Sequence, residues 1–214
     1  MRQDRAEGQP ARDGAGLTLT QTEPLILHFG PIAQKISNHD FFEFCQLNRD
    51  LRIELTSGGD LIIMTPTGGE TGRINFTLTA LFGVWVEADG TGIGFDSSTG
   101  FTLPNGAKRS PDAAWVKRSR WEALTEEERA KFPPLCPDFV VELRSRSDAI
   151  GTLKEKMEEY IANGAQLGWL IDPIEQKVYI YHPSAEVVCL ENPETVSGDP
   201  VLPGFVLDLQ RLWS

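Results

Sequence analysis

The sequence predicts one α/β domain in which a mixed central sheet is flanked by helices. Apolar residues recur at helical spacing in two segments, 72–86 and 150–163, and short apolar runs of strand length lie between and after them. The order of these segments (helix, strands, helix, strand) is typical of a sheet whose faces are covered by helices. A chain of 214 residues, 40% of them hydrophobic, can bury one core of this kind.

Composition narrows the class of protein before any motif is considered. Residues 1–20 are polar and rich in glycine, so we expect a flexible leader there and a single domain over residues 21–214. No run approaches the roughly 20 apolar residues of a membrane helix, and the N-terminus lacks the apolar run of a secretory signal. Three scattered cysteines favour a reducing, cytoplasmic setting without disulfides.

The charge balance limits how the protein could meet a nucleic acid. The chain has 31 acidic and 20 basic residues and a formal net charge of −11. A protein that bound DNA over its whole surface would normally be basic. Any contact with DNA is therefore expected to be local or bridged by a metal ion.

Each element is predicted from its own local pattern. Ser37 is a candidate N-cap for a short helix, and Gly164 is a candidate stop for a longer one. The turn at 57–60, Ser-Gly-Gly-Asp, can reach positive φ and joins two apolar runs as a hairpin. The predicted helices are 37–44, 72–86, 125–131 and 150–163. The predicted strands are 51–55, 61–64, one or two within 90–106, 111–117, 138–143, 167–171, 178–181 and 187–190.

Two of the predicted strands each carry one acid among apolar neighbours. Asp112 lies in the segment 111–117, and Glu142 lies in the segment 138–143. An ionised carboxylate in a central strand is costly unless it is paired, hydrogen-bonded or bound to a metal. Each acid alone could instead lie at a strand end, beside water or a basic partner. Because two strands carry such an acid, the sequence favours a shared site.

The helix at 150–163 brings a cation towards these strands. Lys154 and Lys156 lie on opposite flanks of its apolar face. Either lysine can lay its stem along the core and direct its ammonium towards a strand end, or pair with a glutamate of the same helix. The sequence does not choose between the two lysines. The glutamates expected to face solvent are Glu155, Glu158 and Glu159.

Two carboxylates and a lysine beside a sheet edge suit metal-assisted hydrolysis of a phosphodiester. Carboxylate oxygens hold Mg²⁺ (or Mn²⁺) and leave positions open for water and a phosphate oxygen. The lysine can stabilise the developing charge or help to deprotonate the attacking water. A metal ion also reconciles the acidic composition with a phosphate substrate, because it screens the phosphate from the acids.

Several motifs, taken in order, make the chain resemble a known superfamily. The main ones are Ser110-Pro111-Asp112, Val140-Val141-Glu142-Leu143-Arg144, Lys156, Tyr160, Gly164 and Trp169-Leu170-Ile171-Asp172-Pro173. Supporting ones are Ile53-Glu54-Leu55, Pro66-Thr67-Gly68-Gly69-Glu70-Thr71-Gly72 and Leu202-Pro203-Gly204-Phe205. The series resembles the restriction-endonuclease-like PD-(D/E)XK superfamily and, within it, the endonuclease family that is abundant in cyanobacteria. The resemblance extends from about residue 37 to the end of the chain.

The resemblance implies a restriction-endonuclease-like core of order αβββαβ, with an N-terminal hairpin and additional C-terminal strands. It implies Asp112 and Glu142 as metal ligands and Lys156 as the catalytic lysine. The superfamily places its lysine two residues after the second acid, where this chain has Arg144. A guanidinium stays protonated and cannot act as a base, although it can bind phosphate.

The superfamily often supplies one more acid from its first core helix. Glu70, just before the predicted helix at 72–86, is our first choice for this third catalytic and metal-binding residue. Glu54 is the alternative. Each also has a purely structural interpretation, since an acid is favoured at a helix N-terminus and can sit within a strand.

The sequence therefore predicts a Mg²⁺- or Mn²⁺-dependent endonuclease with DNA as its substrate and no contact with membranes. A nuclease-fold binding or assembly module without activity is one alternative, favoured by Arg144 and by the net charge of −11. A nuclease acting on RNA is another. Cutting both strands of a duplex needs two sites, which a homodimer would supply, although nothing in the sequence demonstrates one.

Overall fold

The structure, a computed structural model, describes residues 24–214, and the leader predicted over residues 1–20 lies outside the described residues. Within this part the backbone forms strands and α-helices, besides a 3₁₀ turn at Gly30–Lys35. The strands are β1 (Leu25–His28), β2 (Arg52–Leu55), β3 (Asp60–Met64), β4 (Gly92–Asp96), β5 (Phe101–Thr102), β6 (Lys108–Arg109), β7 (Ala113–Lys117), β8 (Phe139–Leu143), β9 (Leu167–Asp172), β10 (Lys177–Tyr181), β11 (Val188–Glu191), β12 (Thr195–Ser197) and β13 (Val206–Asp208). The helices are α1 (Asn38–Leu47), α2 (Gly69–Asp89), α3 (Arg118–Glu122), α4 (Glu126–Ala130), α5 (Ile150–Ala162) and α6 (Gln210–Trp213).

The central sheet has six strands in the order β11-β10-β9-β8-β7-β4. β8 and β9 are parallel and the chain crosses between them through α5, whereas the other neighbouring strands are antiparallel. Along the chain, α2, β4, β7, β8, α5 and β9 follow the order αβββαβ that the resemblance implied. The predicted fold class, a mixed sheet flanked by helices, is confirmed.

A second sheet, in the order β1-β3-β2-β6-β5, contains the predicted hairpin of β2 and β3. The turn of this hairpin includes Gly59 at φ +92°, a conformation that favours glycine. β2 also pairs with the short strand β6 through Leu55 and Lys108. This pairing brings the hairpin against the segment that leads into β7. The remaining strands, β12 and β13, form a separate antiparallel pair.

Alternation along β8 separates two apolar clusters. Phe139 and Val141 pack in one cluster with Leu78 of α2, whereas Val140 packs in the other with Met157 of α5. Each of these five side chains is at most 1% exposed, and burial of such side chains contributes about 1.5–3 kcal/mol each. The acid of β8 therefore lies on the face of the sheet that α5 covers.

The ends of the helices follow local signals. The Ser37 hydroxyl accepts a hydrogen bond from the Asp40 N–H at the start of α1, as an N-cap does. α2 begins three residues earlier than predicted and ends at Gly90, whose φ is +67°. α5 ends before Gly164 at φ +114°, the predicted stop. Within residues 24–214 no helix is both long enough and apolar enough to cross a membrane.

Candidate active site

Asp112 and Glu142 are brought together by the antiparallel pairing of β7 with β8. The Asp112 N–H donates to the Val141 carbonyl at 2.9 Å, and the Asp112 carboxylate accepts from the Leu143 N–H at 2.8 Å. Asp112 is 8% exposed and Glu142 is 3% exposed. The two acids that the sequence singled out therefore lie side by side, and the backbone of β8 fixes the first of them.

Lys156 is the lysine of α5 that reaches these acids. Its ammonium lies 2.9 Å from Glu142 Oε1 and 2.9 Å from Glu54 Oε1. The Lys154 ammonium instead lies 4.2 Å from the centre of the Tyr179 ring. Residues two positions apart differ by about 200° around the axis of an α-helix, so Lys154 and Lys156 meet different surroundings. The structure thus distinguishes the two lysines, which helical periodicity alone did not, and Lys156 is the one that the resemblance implied.

Glu54 is the acid that the second sheet contributes. Its carboxylate is buried and accepts hydrogen bonds from Arg109 Nη1 at 3.1 Å and from the Ser110 N–H at 2.9 Å, in addition to its pair with Lys156. Arg109 continues the network to Glu159 of α5, with Nε 2.6 Å from Oε2. A lysine and an arginine therefore balance this buried carboxylate.

Glu70, our first choice for the third acid, lies elsewhere. Its side chain is 67% exposed at the start of α2 and forms an ion pair with Arg73 at 2.8 Å. Among the contacts between described residues, none joins Glu70 to Asp112 or Glu142. α2 contributes Asn75 to the site instead, with Nδ2 3.5 Å from Asp112 Oδ1. The structure brings Glu54, the alternative, to Lys156, and a catalytic role for Glu70 stays a prediction.

The two buried glutamates have opposite electrostatic environments. Burial raises the pKa of Glu142 to about 7; Lys156 opposes this rise, whereas the negative charges of Asp112 and Glu54 add to it. Burial also acts to raise the pKa of Glu54, but Lys156 and Arg109 outweigh it and hold that pKa at about 2. Although burial alone would lower the pKa of Lys156, the two glutamates raise it. Lys156 is therefore a protonated cation at neutral pH.

Tyr160 holds Glu142 from the side of α5. Its hydroxyl donates to Glu142 Oε1 at 2.9 Å, on the oxygen that also faces Lys156. Burial is the largest cause that raises the pKa of Tyr160 well above its ordinary value, so the hydroxyl remains a donor. No described residue donates to Oε2 of Glu142. The carboxylate is thus fixed through one oxygen and keeps the other for a ligand.

Two arginines near the acids differ in how they are engaged. Arg52 of β2 donates to the Ser110 carbonyl and approaches Asp112 Oδ1 at 3.4 Å, while its side chain is 36% exposed. Arg144, which stands where the superfamily has its lysine, forms an ion pair at 2.7 Å with the buried Asp172. Arg144 is therefore held by β9, and Arg52 is the arginine with a loose contact to the site.

The residues present fit one divalent cation better than a cluster of ions. Among the described residues, no group of three or more His, Cys, Asp and Glu side chains is arranged to hold a metal. Asp112 and Glu142 provide two adjacent carboxylates, whereas both oxygens of Glu54 are engaged by cations. Two carboxylates with water and phosphate oxygens in the remaining positions are a common donor set for a catalytic Mg²⁺.

Residues 39–210 match the model of the Uma2 family, described as "Putative restriction endonuclease". The chain belongs to this family. A solved structure with a similar fold is "a putative nuclease belonging to DUF820 from Anabaena variabilis", at a TM-score of 0.64 and 21% sequence identity. The similarity covers 75% of this chain and 89% of that one. Comparison with the curated proteins finds no match. The restriction-endonuclease-like resemblance predicted from the motifs is thereby confirmed.

Sequence reasoning missed part of the network around Lys156. Glu159 was expected to face solvent, but this is wrong, because Arg109 from the second sheet covers it and leaves its side chain 14% exposed. Arg52 and Arg109 carried no motif that marked them. A signal for Glu54 was present: like the two other acids, it lies between apolar residues, Ile53 and Leu55, in a predicted strand.

Proposed function

We propose that this Uma2-family protein is a metal-dependent endonuclease that hydrolyses phosphodiester bonds of DNA, with Mg²⁺ or Mn²⁺ as the cofactor. One observation carries the proposal: the Lys156 ammonium lies 2.9 Å from carboxylate oxygens of both Glu54 and Glu142, and Asp112, which directly precedes β7, accepts a hydrogen bond from the N–H of Leu143, the residue after Glu142. Membership of the Uma2 family and the similarity in fold to the Anabaena protein are consistent with nuclease chemistry.

Asp112 and Glu142 are the residues that would hold the cation. The Leu143 N–H orients the first carboxylate, and the Tyr160 hydroxyl orients the second. When bound, a divalent cation supplies Lewis-acid activation of water and of the phosphate. The raised pKa of Glu142 means that this carboxyl group must lose its proton to act as a ligand.

Lys156 acts as a cation rather than as a base. Its pKa is raised, so at neutral pH it keeps its proton and can donate to a phosphate oxygen on which negative charge builds up. Glu54 is a positioning residue, since it is ionised and its carboxylate lies 2.9 Å from the Lys156 ammonium. The guanidinium of Arg52, whose side chain is 36% exposed, is suited to bind a phosphate of the backbone.

A plasmid assay tests this function. Supercoiled plasmid is incubated with the protein and Mg²⁺, Mn²⁺ or EDTA, and nicked and linear products are quantified over time. We expect cleavage by the parent protein with metal, and none by the Asp112→Asn and Glu142→Gln variants. Glu155→Gln, an exposed acid on α5, is the matched control and should cleave like the parent. Cleavage by both active-site variants would refute the site.

Two further measurements separate the alternatives. A labelled single-stranded RNA in the same assay tests the RNA substrate, because the described groups do not distinguish DNA from RNA. An inactive binding module is favoured by the absence of a three-residue metal cluster among the described residues. Calorimetric titration with Mn²⁺ tests that alternative: binding that disappears in Asp112→Asn supports the enzyme, and no binding by the parent supports the module.

A further inference from the structure

Helix α2 has an exposed apolar ridge on the side away from the core. Phe76 and Val84 are 76% and 73% exposed, and the exposed Ala80 lies midway between them. Residues four apart form one ridge along a helix. The opposite face of α2 packs in the core of the domain through its buried residues, Ile74, Leu78, Phe82 and Val86. The ridge is therefore apolar surface that residues 24–214 leave uncovered.

Opposite charges flank this ridge at equal distances from its centre. Arg73 lies seven residues before Ala80, and Glu87 lies seven residues after it. The Arg73 side chain is 40% exposed, although it already pairs with Glu70. Glu87 is exposed and forms no ion pair with any residue in the described part of the chain. At a rise of about 1.5 Å per residue, each charge lies roughly 10 Å from Ala80 along the axis.

We propose that a second copy of this chain packs on the ridge, with its α2 antiparallel to the first and a two-fold axis at Ala80. This arrangement places Phe76 opposite the partner's Val84, and Val84 opposite the partner's Phe76. It also places Arg73 opposite the partner's Glu87, and the reverse, so both ends of the interface have complementary charge. The small side chain of Ala80 allows the helices to approach closely where they cross.

Charge complementarity selects this arrangement over a parallel one. Parallel helices in the same register would place Arg73 opposite the partner's Arg73 and Glu87 opposite the partner's Glu87. Like charges that face each other disfavour the parallel pair, whereas the antiparallel pair brings Arg73 and Glu87 together at both ends of the interface. The apolar pairing of Phe76 with Val84 also occurs only when the helices are antiparallel.

The size of the surface sets the expected affinity. One pair of crossing helices buries less than the roughly 800 Å² per partner of a standard interface. We therefore expect a weak dimer with a dissociation constant in the micromolar range. This constant should increase as salt concentration rises, because salt screens the charge pairs. The inference does not depend on the proposed nuclease activity, because none of its residues contacts Asp112, Glu142 or Lys156.

Charge reversal combined with sedimentation velocity tests the dimer. The full chain is measured at several concentrations from about 1 to 300 µM, alongside Arg73→Glu, Glu87→Arg, an equimolar mixture of these two variants, and the double variant. We expect the parent to dimerise and each single variant to remain monomeric. The mixture should form a heterodimer and the double variant a homodimer, because both restore opposite charges. Glu87→Arg alters an unpaired surface residue, so it remains informative if Arg73→Glu disturbs the start of α2.

A cysteine at the proposed axis gives a second, geometric test. Ala80→Cys is introduced into a Cys189→Ser background, since Cys189 is an exposed native thiol. Mild oxidation should convert most of this protein into a disulfide-linked dimer, whereas Glu155→Cys on α5 should remain largely monomeric. A parent that is monomeric at every concentration would overturn the inference. So would a dimer that ignores the charge reversals, for example one assembled through the exposed apolar strand β1.

Discussion

Lys156 lies between two carboxylates that share it unequally. Glu54 has a second cation, Arg109, and a backbone N–H, so it remains ionised. Glu142 has Lys156 and the Tyr160 hydroxyl but also faces the negative charge of Asp112. Lys156, which also pairs with Glu54, and the loosely placed Arg52 therefore balance the negative charges of Asp112 and Glu142 only in part. A divalent cation would supply the missing charge at the position where metal-assisted hydrolysis requires it.

Replacing Lys156 with methionine tests its electrostatic role. Methionine fills a similar volume but cannot donate to a phosphate oxygen, and loss of one such donor typically costs about 10²–10³-fold in kcat. We expect Lys156→Met to lose cleavage to that extent while still binding Mn²⁺ through Asp112 and Glu142. Lys154→Met is the matched control, because this lysine packs on Tyr179 away from the acids. Equal losses in the two variants would contradict the assigned role.

The raised pKa of Glu142 predicts a pH-dependent effect of Glu142→Gln on stability. A group whose pKa is higher in the folded state favours folding below its unfolded pKa, and this contribution is lost as pH rises through the folded value. Glu142 without metal therefore destabilises the fold increasingly from about pH 4.5 to above pH 7, by at most about 3 kcal/mol. Glutamine mimics the protonated acid and escapes this loss.

Urea unfolding with EDTA at pH 5 and pH 8 measures this effect. The stability of Glu142→Gln relative to the parent should increase between the two pH values. Glu155→Gln, which alters an exposed acid on α5, should show no such increase. A relative stability of Glu142→Gln that is the same at both pH values would show that the carboxyl group is ionised at both.

The site residues that could be identified from the sequence are acids that lie among apolar neighbours in a predicted strand. Asp112 and Glu142 stood out as acids in apolar strands, and the structure places them side by side. Glu54 carries the same mark, but its contact with Lys156 joins residues 102 positions apart. Local patterns contain no information about such a contact. For the same reason the helical pattern of α5 gave a wrong expectation for Glu159, which Arg109 covers.

At the scale of elements, the second sheet is part of the site. β2 carries Arg52 and Glu54, and Arg109 of β6 joins Glu54 to Glu159 of α5. The strands and helices were predictable because each has its own periodicity and end signals. The attachment of the β2–β3 hairpin to the segment that leads into β7 was not predictable, because β2 and β6 pair through only Leu55 and Lys108. A two-residue strand leaves no periodic pattern to read.

Arg109 is the residue that links these elements, and its replacement should loosen them. Arg109→Met removes the cation that pairs with Glu159 and leaves Lys156 as the one cation that pairs with Glu54 among the described residues. Breaking a buried ion pair typically costs about 3–5 kcal/mol. We expect a clear decrease in the urea midpoint of unfolding. Arg118→Met is the control, since the contacts of Arg118, an ion pair with Glu122 at 4.0 Å and a hydrogen bond to the Gly90 carbonyl, lie at the surface; this replacement should change the midpoint little. Similar midpoints for both variants would mean that the network does not stabilise the fold.

At the scale of the whole molecule, a net charge of −11 opposes binding of a polyanion. At the proposed site, the carboxylates of Asp112 and Glu142 would add to this repulsion, because a phosphate would have to approach both of them. Arg52 and Lys156 offset only part of it. If Asp112 and Glu142 hold a cation as proposed, binding of DNA should require that cation, as should cleavage of DNA.

Fluorescence anisotropy of a labelled duplex with Ca²⁺ or EDTA tests this requirement, since Ca²⁺ usually supports binding without supporting cleavage. We expect Ca²⁺ to tighten DNA binding by the parent at least about tenfold, equivalent to about 1.4 kcal/mol. Asp112→Asn should bind DNA equally with Ca²⁺ and EDTA, because it loses the ion. With EDTA alone it should bind slightly more tightly than the parent, because one repulsive charge is removed. Glu155→Gln has the same net charge as Asp112→Asn and should keep the full effect of Ca²⁺ on DNA binding. If both variants lose that effect, it depends on net charge and not on the site.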